Sequence, residues 1–450
     1  MAANQPQLPA TNHKPQPYTG PSRAAVWADR QRYMSPAIFH IYKEPLMIVE
    51  GHMQYLFDET GRRYLDGFGG IVTVSVGHCH PKVMAKTRAQ ADRIQHTTTI
   101  YLNPAVTELA KKLASKMPPG LEVSYIVNSG SEANDLAILM ARLYTGNHTV
   151  IALRNAYHGD SPSAMGLTSH STWKFNVPHG EGILHAINPD PYRSPFTGTP
   201  EEIARKSAAD VADMIRYGSS GKVAAFIAEP WAGVGGVTTG HPVYFQQVYE
   251  TIRAAGGLCI SDEVQTGFGR MGEHYWGFQH KGVTPDIVTM AKGLGNGIPI
   301  AAVTTRMDIA RKLADKIHFN TFGGNPVSCT QALATIEVID EENIQAHTRQ
   351  LGAKLNAGLL KLQERFPLIG DVRGQGLMIG VELVTDRATK NPAKEQTAAL
   401  LEHCRELGLL IGKGGLNGNV LRIKPPMCLT ESDADFMLAC LESAFAAAKP

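Results

Sequence analysis

Two segments, GLCISDEVQTGFGR (257–270) and DIVTMAKGLGNG (286–297), share one grammar. Each begins with a short, continuous apolar run and breaks into a turn rich in glycine and charged residues. A continuous run of this length reads as a strand buried on both faces. The same pattern recurs in VSYIV (123–127), TVIAL (149–153) and AAFIA (224–228). Between these runs lie helix-length segments, such as 132–144 and 242–255. In the first of them Leu136, Leu139, Met140 and Leu143 fall on one helical face. Strands alternating with helices predict an α/β fold with a mostly parallel sheet covered on both faces.

Upstream, MIVEGHMQYLFDETGRRYLD (47–66) reads as β-rich, with a hairpin turn at Asp58-Glu59-Thr60-Gly61. Residues 1–22, with five prolines and many polar residues, are expected to be a disordered tail. Residues 23–85 are expected to pack with a small domain, and 86–330 to form the large domain. From 331 to 450 the pattern becomes that of a smaller α+β domain. A long helix at roughly 327–363 with a break leads into it. MIGVELV (378–384), a helix near 394–407, NVLRIKP (419–425) and a last helix near 431–447 follow.

With 450 residues, 43% apolar and 19% charged, the chain can bury large cores without disulfides. A net charge of +2 and no long basic run argue against nucleic acid or membrane partners. Six scattered cysteines form no C-x-x-C pair, which implies reduced thiols. With no signal-peptide core or Arg-rich amphipathic start visible, the expected location is cytoplasmic.

In open parallel sheets ligands bind beyond the carboxyl ends of the strands, so the residues after each run carry the chemistry. After 123–127 comes a small turn opening a helix, Asn128-Ser129-Gly130-Ser131. It suits a phosphate, or it is an ordinary capped helix start with Ser129 or Ser131 as N-cap. After 149–153 comes Tyr157, which either stacks on a flat ring or packs in the core. After 257–261 come Asp262 and Glu263, costly to bury unless bonded. Asp262 reads as the partner of a protonated pyridine nitrogen, as a metal ligand, or as a capping carboxylate. After 286–290 comes Lys292, among glycines that permit close approach to a ligand. It is either a Schiff-base amine or a solvated loop lysine. His78-Cys79-His80 has metal-binding atoms, but adjacent residues rarely share an ion, and no metal is expected. Phosphate turn, stacking aromatic, pyridine-nitrogen acid and amine together make up the parts needed by pyridoxal 5′-phosphate (PLP).

VNSGSEAND, AYHG, AEP, DEVQTGFGR, TMAKGLGNG and HFNTFGGNP resemble the class III PLP-dependent aminotransferases over roughly residues 40–445. GIVTVSVGHCHPKV, EVQTGFGRMGEHYWGFQ and DVRGQGLMIGVEL are most similar to the class III type of alanine–glyoxylate aminotransferase. The resemblance implies PLP-dependent transferase fold type I. It implies that Lys292 carries the cofactor as a Schiff base and shuttles protons, with Asp262 on the pyridine nitrogen and Gln265 on the phenolic oxygen. Tyr157 and Val264 would sandwich the ring, and Gly130 and Ser131 would hold the phosphate. Thr321 would reach the neighbouring subunit's phosphate, making a homodimer or dimer of dimers. Arg422 would bind the substrate carboxylate, with Glu229 close enough to pair with it. One departure is the run Trp231-Ala232-Gly233 where relatives carry an Ile-Gln-Gly type of run, which places an indole near the pocket. The implied reaction is amino transfer from an amino acid or ω-amine to glyoxylate or pyruvate. The alternative is a phospho-lyase acting on an amino-phosphate, which would need an extra cationic cluster.

Overall fold

The five apolar runs become neighbours in one seven-stranded sheet. In the computed structural model, which describes residues 5–448, they are the strands Val123–Val127, Val150–Leu153, Ala225–Ala228, Leu258–Asp262 and Ile287–Met290. Ile183–Ala186 and Ala301–Thr305 complete the sheet. Across it the order is Val123–Val127, Ala301–Thr305, Ile287–Met290, Leu258–Asp262, Ala225–Ala228, Val150–Leu153, Ile183–Ala186. Only Ala301–Thr305 runs antiparallel to its neighbours. The central strands are buried on both faces, which is why they lack alternation.

The helix Gly130–Thr145 buries Ala133, Leu136, Ala137, Met140 and Ala141 against this sheet. Leu139 and Leu143, expected on the same face, are instead 39% and 47% exposed. The buried stripe is centred on the alanines because small side chains let the helix sit close to the strands, which rotates those two leucines outward.

The predicted turn near residue 58 is a hairpin between Tyr55–Asp58 and Arg63–Asp66. Asp58 Oδ1 accepts from the Thr60 and Arg62 amides, and Gly61 supplies the positive φ of 81°. The second strand pairs in parallel with Leu409–Leu410, joining the start of the chain to its C-terminal part. Residues 5–22 contain no helix or strand. Leu8 nevertheless packs on the core, and His13 bonds Glu50 at 2.5 Å while stacking on His52. The first four residues of the expected tail lie outside the described residues.

The long C-terminal helix is broken, into Pro326–Glu341 and Ile344–Arg365, at Asn343 with φ 53°. Ile369–Gln375 and Met378–Asp386 form an antiparallel hairpin, and Val420–Ile423 pairs with its second strand. Lys394–Leu407 and Glu431–Ala447 are the remaining long helices. The strand Val420–Ile423 delivers Arg422 and Lys424 towards the end of the large sheet, where the site lies.

Candidate active site

Loops leaving the carboxyl ends of five parallel strands converge on one cavity. Its wall includes Gly130, Ser131, Tyr157, Glu229 and Asp262, with Val264, Gln265 and Lys292. Eight of the residues singled out in the sequence therefore meet in space. Asn134, His158 and Gly159 join them. Thr321 is exposed and Arg422 is buried, and neither is on this wall.

At one end is the start of helix Gly130–Thr145. Ser129 caps it by accepting from the Glu132 amide, and Glu132 accepts in return from the Ser129 and Asn128 amides. The next two amides, Gly130 and Ser131, have no hydrogen bond among the described residues. An ordinary cap and an anion site are thus one structure, since the cap satisfies the flanking donors and leaves two pointing outward at the positive helix end. Gly159, with φ 128°, lies so close that an added Cβ would fall 2.4 Å from Ser131 Oγ.

Asp262 is buried, and its carboxylate is fully held. Oδ2 accepts from Asn134 Nδ2 at 2.9 Å and pairs with His158 Nδ1 at 2.7 Å, while Oδ1 accepts from the Val264 amide at 3.1 Å. Asn134 is itself fixed, accepting from Thr289 Oγ1 and donating to the His158 carbonyl. Because a carboxylate accepts, His158 Nδ1 carries a proton. Neither Asn134 nor His158 was picked out from the sequence, although both sit inside motifs quoted above. Their role depends on contacts across 128 and 104 residues. The neighbouring acid does something different: Glu263 accepts from Ser261, Thr266 and the Gly277 and Phe278 amides. It organises a turn away from the cavity.

Lys292 has φ 43°, an uncommon left-handed conformation for a side-chain-bearing residue. Its loop is clamped by the segment just before the helix Pro81–Arg93. Ser75 Oγ donates to the Gly293 carbonyl, and Asn296 Oδ1 accepts from the Ser75 and Val76 amides. Burial pushes the Lys292 amine down to about 8, with Asp262 and Glu229 pulling the other way and Arg422 reinforcing the fall. It is not the solvated loop lysine of the alternative reading.

Gln265 packs against Gly233, where an added Cβ would lie 2.3 Å from its amide oxygen. That oxygen accepts from Lys424 Nζ at 2.8 Å. Glu229 and Arg422, expected to pair, instead grip the two ends of one residue. Glu229 Oε2 accepts from the Gly233 amide at 2.7 Å, and Arg422 Nη1 donates to the Gly233 carbonyl at 3.3 Å. No ion pair joins them among the described residues; Gly233 fills the space between. Burial raises the Glu229 carboxyl, with Asp262 adding to the rise and His158 opposing it.

These groups fit PLP on chemical grounds. Two partnerless amides meet a phosphate, a fixed carboxylate meets a pyridine nitrogen, an aromatic meets a ring face, and a buried amine meets an aldehyde. The sequence matches the family described as Aminotransferase class-III over residues 40–445. The chain belongs to the class III aminotransferases.

A relative from Arabidopsis thaliana, "Alanine--glyoxylate aminotransferase 2 homolog 2, mitochondrial", is 49% identical over 97% of this chain and 91% of its own. Among solved structures, a phospholyase from Arthrobacter in complex with phosphoethanolamine is 36% identical with a TM-score of 0.88. That match covers 94% of this chain and 100% of the other. An amine transaminase from an uncultivated Pseudomonas species, in its PLP-bound form, is 31% identical with a TM-score of 0.86, over 93% and 98% of the two chains. The aminotransferase is therefore a PLP enzyme of fold type I.

One expectation is overturned here. The cytoplasmic location read from the first residues does not stand, because the Arabidopsis relative is named mitochondrial. Bulk composition and thiol count do not distinguish two reducing compartments. The indole of Trp231 is not on the wall of the aminotransferase's cavity. It packs with Val237, Met271 and Met378, edge-on to His280, under Lys281 Nζ at 3.7 Å from the ring centre.

Proposed function

We propose that this aminotransferase moves an amino group from an amino acid such as alanine, or from an ω-amine, to a small 2-oxo acid, glyoxylate or pyruvate. The observation that carries the substrate class is Arg422. Its Nε donates to the Lys413 carbonyl at 3.0 Å and Nη1 to that of Gly233, with the guanidinium 5.0 Å from the Phe68 ring. Nη2 has no bond among the described residues, which suits an incoming carboxylate. Burial lowers Arg422 to about 10, with Glu229 opposing, so it stays charged at neutral pH. The name of the 49% identical relative supports the same pair of acids.

Bound PLP supplies the electron sink. The chain's own residues do the rest. Lys292 carries the cofactor and holds or returns the proton at the substrate carbon. Asp262, anchored by His158 and Asn134, keeps the ring nitrogen protonated. Gly130 and Ser131 hold the phosphate, Tyr157 and Val264 take the two ring faces, and Gln265 faces the phenolic oxygen. A substrate lacking an α-carboxylate leaves Arg422 to Gly233 and its neighbour Glu229. An α-acid draws the free Nη2 and loosens that grip.

A homodimer completes the reading. Thr321 is exposed, as are Ile317 (98%) and Phe322 (63%) in its own segment and Ile100 (74%) and Leu102 in another. The two segments are in contact, with Asn325 donating to the Gln95 carbonyl and His96 against Phe322. An apolar patch of this kind belongs at an interface, with Thr321 serving the partner's phosphate. A phospho-lyase would need additional cations for a substrate phosphate. Lys424, buried beside Gln265, spends donors on Gln265 and Gly233.

The deciding experiment measures each half-reaction separately in Arg422→Lys. Turnover of alanine and glyoxylate should fall about 10- to 150-fold, the loss of one charge-assisted bond, and that of a simple ω-amine much less. Equal losses would remove Arg422 from substrate recognition. Phosphate release from phosphoethanolamine without amine transfer would replace this reading by elimination.

A further inference from the structure

Lys424 is a second lysine at this site, and its side chain is wholly buried. Nζ reaches two oxygens, Gln265 Oε1 at 2.8 Å and the Gly233 carbonyl at 3.2 Å. Around it stand the guanidinium groups of Arg422 and Arg270, the Lys292 amine and one acid, Glu229. A lysine placed beside two guanidinium groups to neutralise charge would be misplaced. Burial, then Arg422 and Lys292, hold its amine well below the ordinary lysine value. Both of its contacts are acceptor oxygens, so Nζ is the donor in each.

The consequence falls on Gln265. A side-chain amide presents an oxygen at one end and an NH2 at the other, and the two ends are otherwise interchangeable in shape. An amine that donates its hydrogens can face only the oxygen. Gln265 is also held by Gly233, whose Cα leaves no room for a Cβ. Its Nε2 has no hydrogen bond among the described residues, and the residue lines the cavity.

We infer that Lys424 is a positioning residue which fixes the polarity of the Gln265 amide, so that the cofactor's phenolic oxygen meets an N–H donor and never a carbonyl. This rests on the reading that Gln265 faces that oxygen. An N–H at that place stabilises the oxygen's anionic form and so eases loss of the proton shared near it.

The test is an absorbance titration of the PLP-loaded enzyme. In Lys424→Met, which keeps the length of the side chain without its donors, the midpoint should rise by about one pH unit, because the amide is free to turn its oxygen inward. Gln265→Leu alone should raise the midpoint as well. Adding Lys424→Met to Gln265→Leu should then move it no further, because Lys424 acts only through that amide. An unchanged midpoint in Lys424→Met overturns the inference. So does an equal shift in both backgrounds, which would make Lys424 a through-space charge. A midpoint insensitive to Gln265→Leu overturns the reading of Gln265 itself, and with it the inference. If Lys424→Met does not fold, a neutron crystal structure of the wild-type PLP-loaded enzyme, which locates the amide hydrogens, decides. Gln265 Nε2 on the phenolic oxygen with Oε1 on Lys424 sustains the inference, and the reverse amide or a broken Lys424 contact refutes it.

Discussion

A lysine with the ordinary pKa of about 10.4 is almost wholly protonated, and so a poor nucleophile, at neutral pH. Burial pushes Lys292 down to about 8, which makes a testable statement about pH. Only the unprotonated amine condenses with an aldehyde, so PLP uptake by the cofactor-free enzyme should quicken as pH rises and level off above about 8. Below that value it should slow about tenfold per unit. Stopped-flow absorbance checks this, and a midpoint near the ordinary lysine value would contradict the burial. In Lys292→Ala, borohydride should fix no cofactor and turnover should vanish. Asp262 is a different case. Its place after a buried strand was legible in the sequence, but not the two side chains that hold it. Asp262→Asn removes the charge opposite the ring nitrogen, and the turnover rate should fall on the order of a hundredfold or more. A loss below tenfold would mean that another group protonates the ring.

At the scale of elements, the proposed phosphate end depends on how one helix begins. The Ser129–Glu132 capping box leaves Gly130 and Ser131 as the free donors. Ser129→Ala should cost about 1 kcal/mol of stability, seen as a lower melting temperature. It should also weaken PLP retention on dialysis, because the first turn frays where the phosphate binds. Gly159→Ala should be worse for retention, since the new Cβ would fall 2.9 Å from Ala164 Cβ as well as against Ser131, at a φ that only glycine adopts readily. Unchanged retention in both variants would place the phosphate elsewhere. Strands and helices of this region were readable from apolar runs bounded by glycine. The antiparallel strand Ala301–Thr305 was not, because a buried run carries no mark of its direction.

For the whole molecule, the proposed dimer makes a joint prediction about assembly and cofactor. Leu102→Asp with Ile317→Asp puts two charges in the exposed apolar patch and should yield monomers by sedimentation. Those monomers should lose PLP, since the phosphate would lack Thr321 of a second copy. Thr321→Ala should instead stay dimeric and weaken PLP affinity. A monomer retaining full activity would exclude the shared site.

The linear order of residues was enough to determine the sheet's strand runs and the family, and it brought forward the candidate residues at the strand ends. Those features are local: a buried strand must be apolar, and the turn after it must carry what the cofactor needs. Tertiary structure alone decided that Glu263 turns away while Asp262 faces the cavity, that Gly233 separates Glu229 from Arg422, and that Trp231 packs under Lys281 rather than on the cavity wall. It also brought Lys424 to Gln265 across 159 residues of chain. A side chain's partner across such distances is set by how sheets and helices close on one another, and neither residue type nor spacing encodes that closure.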